Sequence, residues 1–222
     1  MHTHSHTHGS PPQTEGRLIR WAAFYDALTN IVTLGHVGIL RTMTVDHAQL
    51  KPGERVLDVG CGTGGVTIPA KRRIGKDGVA AGIDPAPEMI AVAQKKAVRA
   101  GLEIDFRIGV IESLPYEDGT FDAVTSSLMM HHLPEHLQVK GLAEIKRVLK
   151  PGGRLLIADM THSSSSMHER IFAFLTMHRG HGNQFGIEDL PKLLEEAAFE
   201  KIQLLDNNFL TIGFVRGYKP VA

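Results

Sequence analysis

The chain of 222 residues contains a single cysteine, Cys61. One thiol excludes an internal disulfide and a thiolate metal cage. It also counts against chemistry that needs several cysteines, such as the handling of arsenite. Neither sign of charge is in surplus: 24 Lys and Arg balance 24 Asp and Glu. Nucleic acid and an anionic membrane are therefore not expected as main partners, although a local patch leaves room for transient membrane contact. No apolar run approaches the roughly 18 residues of a membrane span, so no transmembrane segment is predicted. The N-terminus lacks the basic start and apolar stretch of a secretory signal. Together these absences predict a cytoplasmic chain. Hydrophobic residues make up 42% of it, enough for one globular domain with a full core.

Residues 1–16, "MHTHSHTHGSPPQTEG", set His2, His4, His6 and His8 among small polar residues. Such a segment cannot bury a core and is read as a disordered, histidine-rich tail. Alternate histidines offer imidazoles to zinc, nickel or copper. Composition alone assigns no ion, and no metal site is predicted for the chain.

From Arg55 onward, short apolar runs alternate with helical patterns. "RVLDVG" (55–60), "VAAGID" (79–84), "IDFRIG" (104–109), "FDAVTSSLMM" (121–130) and "RLLIADM" (154–160) read as strands. Between them, helices are predicted from about Gly64 to Ile74, over 87–101, and from Pro134 to a Pro-Gly-Gly stop. A helix at "IEDLPKLLEEAAF" and two strand-like runs, "KIQLLDN" and "FLTIGFVRGYK", close the chain, the last two near enough to pair as a hairpin. Strand–helix alternation with continuously apolar strands predicts an α/β fold: a parallel sheet covered by helices on both faces. Its ligand site belongs at the carboxyl ends of the strands, where the strand order reverses.

"LDVGCGTGG" runs from the first strand towards a helix, and Gly60, Gly62 and Gly65 satisfy the G-x-G-x-x-G spacing of a dinucleotide site. Asp58 argues against that ligand. A carboxylate two residues before the loop repels a pyrophosphate, and its burial costs several kcal/mol without a cation or donors. A ligand with an ammonium group and no phosphate, such as S-adenosylmethionine, suits it. Asp84 ends the second strand, where a carboxylate accepts both hydroxyls of a ribose. It indicates a nucleoside without saying which.

"VLDVGCGTGG", "GIDPAPEMIAVA" and "RVLKPGGRLLIADM" resemble the class I S-adenosylmethionine-dependent methyltransferases, in their "methyltransferase type 11" branch. The resemblance spans about residues 17 to 219. It implies a Rossmann-like fold with a seven-stranded, mostly parallel sheet and an antiparallel C-terminal hairpin. It also implies S-adenosylmethionine as cofactor and S-adenosylhomocysteine as product. Carried over position by position, Asp58, Gly60 and Gly62 line the methionine and ribose, with Cys61, Thr63 and Gly64 in the loop and Ser127 at the end of the fourth strand. Cys61 is then a packing residue and not a nucleophile. Asp84 holds the ribose, with Pro85 and Met89 beside the adenine. The family usually shows Gly-Asp-Ala-Glu after the third strand, its acid holding the adenine amine. Here the segment reads "GVIE", so Val110 and Ile111 leave the adenine a backbone hydrogen bond and apolar contact.

The implied organisation is a tail (1–16), an N-terminal helical lid (17–50) and a methyltransferase domain (51–222) with a substrate-lid insertion at 161–187, acting as a monomer or homodimer on a small-molecule acceptor. "FYDALTNIVTLGHVGILR" and "FLTIGFVRGYKP" resemble the two ends of the ubiquinone/menaquinone C-methyltransferases. The middle departs from them: "MMHHLP" stands where those enzymes carry an arginine-asparagine pair, and it looks more like small-molecule and phospholipid-headgroup methyltransferases. Some phosphoethanolamine methyltransferases pair a histidine matching His132 with an N-terminal tyrosine, which makes Tyr25 a candidate here.

An acceptor phenol, quinol or amine must lose a proton, and a histidine near neutral pKa is a suitable base. His131 and His132 leave the fourth strand at its carboxyl end. Alternation along a strand lets only one of them face the pocket; the motif match selects His132. The competing reading makes it a loop-bonded histidine that only shapes the pocket. "MHRGHGNQFG" adds His178 and His181 in the substrate-lid segment, without the carboxylates or helical spacing of a metal centre. His36, His47, His136, His162 and His168 are expected at the surface or in a lid.

Overall fold

The computed structural model describes residue 30 and residues 35–161, 185–209 and 211–221. The histidine-rich tail, most of the 17–50 lid including Tyr25, and most of segment 161–187 with His162, His168, His178 and His181 lie outside the described residues.

Seven apolar runs form strands: β1 (Arg55–Val59), β2 (Val79–Asp84), β3 (Asp105–Ile108), β4 (Phe121–Ser127), β5 (Leu149–Met160), β6 (Glu200–Phe209) and β7 (Ile212–Tyr218). They make one sheet in the order β3-β2-β1-β4-β5-β7-β6. Pairs among β1 to β5 are parallel, and β7 runs antiparallel to both β5 and β6. This is the sheet that the alternation and the family resemblance imply.

The helices are α1 (Val37–His47), α2 (Thr67–Ile74), α3 (Pro87–Arg99), α4 (Glu135–Val148) and α5 (Leu190–Glu196). The period of two divides each strand between two cores. Leu57, Val124, Leu155 and Ile157 face α4 and α5 through Leu142, Ile145, Leu190 and Leu194. Val56, Ala80, Ala123 and Leu156 face α1 and α2 through Leu40, Val45, Ala70 and Ile74. Strands buried on both faces in this way have apolar residues at every position, as the sequence shows. Among the described residues, no helix is long and apolar enough to cross a membrane.

Boundaries differ where local backbone geometry overrides pattern. Turns occupy 62–66, so α2 starts at Thr67 and not near Gly64. β4 stops at Ser127, three residues short of expectation, because Leu128 takes a left-handed conformation (φ 55°) and leaves the ladder. A 3-10 turn, Met130–His132, follows. An apolar run such as Leu128–Met130 carries no period that separates strand from turn. β5 begins at Leu149, ahead of the Pro-Gly-Gly stop, with a register shift opposite Phe121 and Ala123. His47 is not a surface residue: it is half-buried against Phe214, with ring centroids 4.7 Å apart.

The C-terminus of α1 is tied to the sheet by two arginines. Arg154 on β5 donates to the carbonyls of Ala48 (2.6 Å) and Gln49 (2.7 Å) and forms a two-pronged pair with Glu54 (3.0 and 2.6 Å). Arg216 on β7 donates to the carbonyl of His47 (3.0 Å). Terminal helix carbonyls lack partners within the helix, so cations here satisfy them. Arg154→Met strands a nearly buried Glu54 carboxylate and two carbonyls, and is expected to cost about 3 kcal/mol in urea denaturation. A loss below about 0.5 kcal/mol would show that the pair does not hold α1.

Candidate active site

The strand order reverses between β1 and β4, and a cleft opens there at the carboxyl ends of the strands. Gly60, Gly62, Ser127 and Leu128 line two adjoining lobes of it. One lobe is bounded by Arg41, Asp58, Cys61, Thr63, Gly65 and Val66. The other runs past Asp84, Pro85, Met89, Val110, Ile111 and Glu112, and ends at Met129, His132 and Leu133.

The glycine loop is drawn onto β2: the N–H groups of Gly60 and Cys61 both donate to the Ile83 carbonyl, at 2.9 and 2.8 Å. Gly60 sits at φ 73°, and a Cβ there would lie 2.6 Å from Met129 Cγ. Only glycine combines that backbone with that contact.

Asp58 is buried, and β1–β4 pairing places Thr125 opposite it. Thr125 Oγ1 donates to its Oδ1 (2.9 Å), and Thr67 Oγ1, at the start of α2, donates to its Oδ2 (2.6 Å). Burial nevertheless pushes its carboxyl up to about 6, and the two hydroxyls only partly oppose this. Asp84 accepts the N–H of Gly62 (3.0 Å) and of Ala86 (2.9 Å), and burial raises its pKa as well. Glu112 Oε2 is buried and accepts no hydrogen bond from a described residue.

Most of the predicted cofactor residues therefore meet in one cleft: Asp58, Gly60, Cys61, Gly62 and Thr63, then Asp84, Pro85, Met89, Val110, Ile111 and Ser127. Gly64 lines neither lobe; it faces Phe106, Ala93 and Ile68. Cys61 packs with Ile90, Ala93 and Phe106, and burial pushes its thiol well above the ordinary range. That suits packing and not nucleophilic attack.

The two histidines lie in the 3-10 turn, so strand alternation does not separate them. Hydrogen bonding does. His131 Nδ1 pairs with buried Asp159 at the end of β5, and its N–H donates to the same carboxylate (3.2 Å). His132 lines the cleft, with its ring 3.9 Å from that of His131. Gln138 of α4 closes the turn by donating to the carbonyls of Met130 (3.0 Å) and Leu133 (3.1 Å). Sequence reasoning missed Arg41, Glu112, Thr67, Thr125 and Asp159. A signal existed for the two threonines: a carboxylate in an apolar strand needs donors, and small hydroxylated residues stand on the neighbouring elements.

Asp58 links the site to stability. Its folded pKa is raised above the unfolded value, so its carboxylate costs little below about pH 4 and most above about pH 6. Asp58→Asn is expected to raise the melting temperature of the free protein at pH 7.5 and leave it nearly unchanged at pH 4.5. Destabilisation at both values would mean that the charge is already neutralised by the protein itself.

The residues fit a nucleoside with an amino-acid tail: a buried carboxylate in want of a cation, a second at a ribose position, and an apolar wall with one orphaned acceptor. A family model described as a methyltransferase domain matches residues 56–153. A demethylmenaquinone methyltransferase of Lysinibacillus sphaericus is 31% identical over 199 residues, covering 80% of this chain and 83% of the relative. One from Bacillus cytotoxicus is 28% identical over 217 residues, covering 88% and 91%. A solved S-adenosylmethionine-dependent methyltransferase from Aquifex aeolicus shares the fold, with a TM-score of 0.69 at 22% identity over 87% of this chain and 97% of that one. The chain belongs to the class I S-adenosylmethionine-dependent methyltransferases and is an enzyme that uses S-adenosylmethionine.

Proposed function

We propose that this enzyme methylates an O, N or C atom of a small hydrophobic or amphiphilic acceptor with the character of a quinol, a phenol or a phospholipid headgroup. One observation carries this reading: the cleft that begins at Asp58 and passes Asp84 ends in an apolar mouth of Met129 and Leu133, with His132 beside them. The printed names of the relatives, demethylmenaquinone methyltransferases, support a quinone-type acceptor among these.

When bound, S-adenosylmethionine supplies a methyl group on a sulfonium whose departure leaves a neutral thioether. The residues then divide the work. Asp58 accepts the ammonium of the methionine end, exchanging a desolvated charge for an ion pair. Asp84 keeps lone pairs for the ribose hydroxyls while two backbone N–H groups fix its carboxylate. Met89, Val110 and Ile111 supply apolar contact for the base. Glu112 offers the carboxylate that Val110 lacks, its orphaned oxygen available to the exocyclic amine.

His132 takes the proton from the acceptor atom as its bond to the methyl carbon forms, so no alkylated cation is left on an oxygen acceptor. Asp159 acts through His131: it fixes the 3-10 turn and thereby the direction of its neighbour. The apolar mouth keeps water from competing for the histidine and holds the acceptor in line, where alignment within about 3 Å governs the rate.

Turnover to S-adenosylhomocysteine across quinols, phenols, amines and phospholipids tests the acceptor class; turnover confined to hydrophilic amines would contradict it. His132→Ala is expected to lower kcat about 100-fold or more on the accepted substrate, with S-adenosylhomocysteine affinity little changed. Unchanged kcat would leave His132 a wall residue only.

A further inference from the structure

Gly65 holds the third place of the G-x-G-x-x-G spacing, yet its backbone is not in the left-handed region and no turn demands glycine there. What demands it is a side chain. A Cβ at this position would lie 2.7 Å from Nε of Arg41 and 3.0 Å from both Cζ and Nη2. The guanidinium is thus seated on the bare α-carbon of the loop.

Arg41 comes from α1, whose C-terminus is tied down by Arg154 and Arg216. Its position is therefore set by the sheet and not by a loose surface helix. It lines the same lobe as Asp58, Gly62 and Thr63. That lobe presents one carboxylate and one guanidinium, the complement of the ammonium and carboxylate of a free α-amino acid. A planar guanidinium suits a carboxylate because two parallel N–H groups meet two oxygens.

We infer that Arg41 is the residue that selects the amino-acid carboxylate of S-adenosylmethionine, and that Gly65 exists as its seat. The inference rests on the proposed reading of this lobe as the methionine end. Arg41 then distinguishes the intact cofactor from nucleosides that share its adenosine and thioether but lack the amino-acid group. Asp58 alone attracts any ammonium; with Arg41 the lobe reads both ends of one zwitterion.

Calorimetry with S-adenosylhomocysteine and 5′-methylthioadenosine tests this, the second ligand lacking only the amino-acid portion. Arg41→Met is expected to weaken S-adenosylhomocysteine about ten- to a hundredfold and methylthioadenosine less than about twofold. Arg41→Lys should recover part of the loss. Gly65→Ala keeps the charge but displaces the guanidinium, and should reproduce the selective loss without a change in melting temperature. Equal affinity of the wild type for the two ligands would overturn the assignment of this lobe, and the inference with it. A wild-type preference for S-adenosylhomocysteine that survives Arg41→Met, or a loss shared equally by both ligands, overturns the inference alone.

Discussion

A carboxylate buried at the end of a central strand is the constraint around which this molecule is organised. Asp58 cannot be moved: β1 lies between β2 and β4, and its side chain is enclosed by the glycine loop and by two threonines from other elements. Two hydroxyls are not enough to stabilise a full negative charge there, and its proton is held to about pH 6. The free enzyme therefore carries an unbalanced charge at neutral pH. Instability of this kind is typical of functional sites, where local energy is sacrificed for a ligand that restores it.

The rest of the fold serves that site by bringing side chains from distant segments to one sheet edge. Gly60 and Cys61 hang from the Ile83 carbonyl, which sets the loop against β2 and brings Asp84 to Gly62. Arg154 and Arg216 hold α1 so that Arg41 reaches the loop from the other side. At the far end, Asp159 and Gln138 fix a short turn that directs His132 into the cleft. Each arrangement joins residues far apart in sequence, so each depends on the sheet being correctly assembled.

The strands were legible because both of their faces are buried, which leaves an apolar run with few polar interruptions. Asp58 and Asp84 were legible because a carboxylate at the end of such a run contradicts its surroundings. Leu128 was not. Nothing in its identity announces a left-handed backbone, so the extended reading of β4 ran three residues too far and placed both histidines on a strand. Arg41 was hidden for a different reason. It lies in an amphipathic helix where an arginine ordinarily faces solvent, and its meaning appears only once Gly65 is found beneath it. Glu112 was passed over because attention fell on the missing acid at Val110, two residues earlier.

The central claim is that Asp58 is completed by the ammonium of the cofactor, and its protonation offers a direct test. Calorimetric titration of S-adenosylhomocysteine between pH 5 and 8 should give a constant affinity above about pH 6. Below it, affinity should fall by up to about tenfold per pH unit as the carboxyl takes up its proton, and Asp58→Asn should flatten the profile at a weaker affinity. An affinity for S-adenosylhomocysteine that stays unchanged down to pH 5 in the wild-type enzyme would contradict the account.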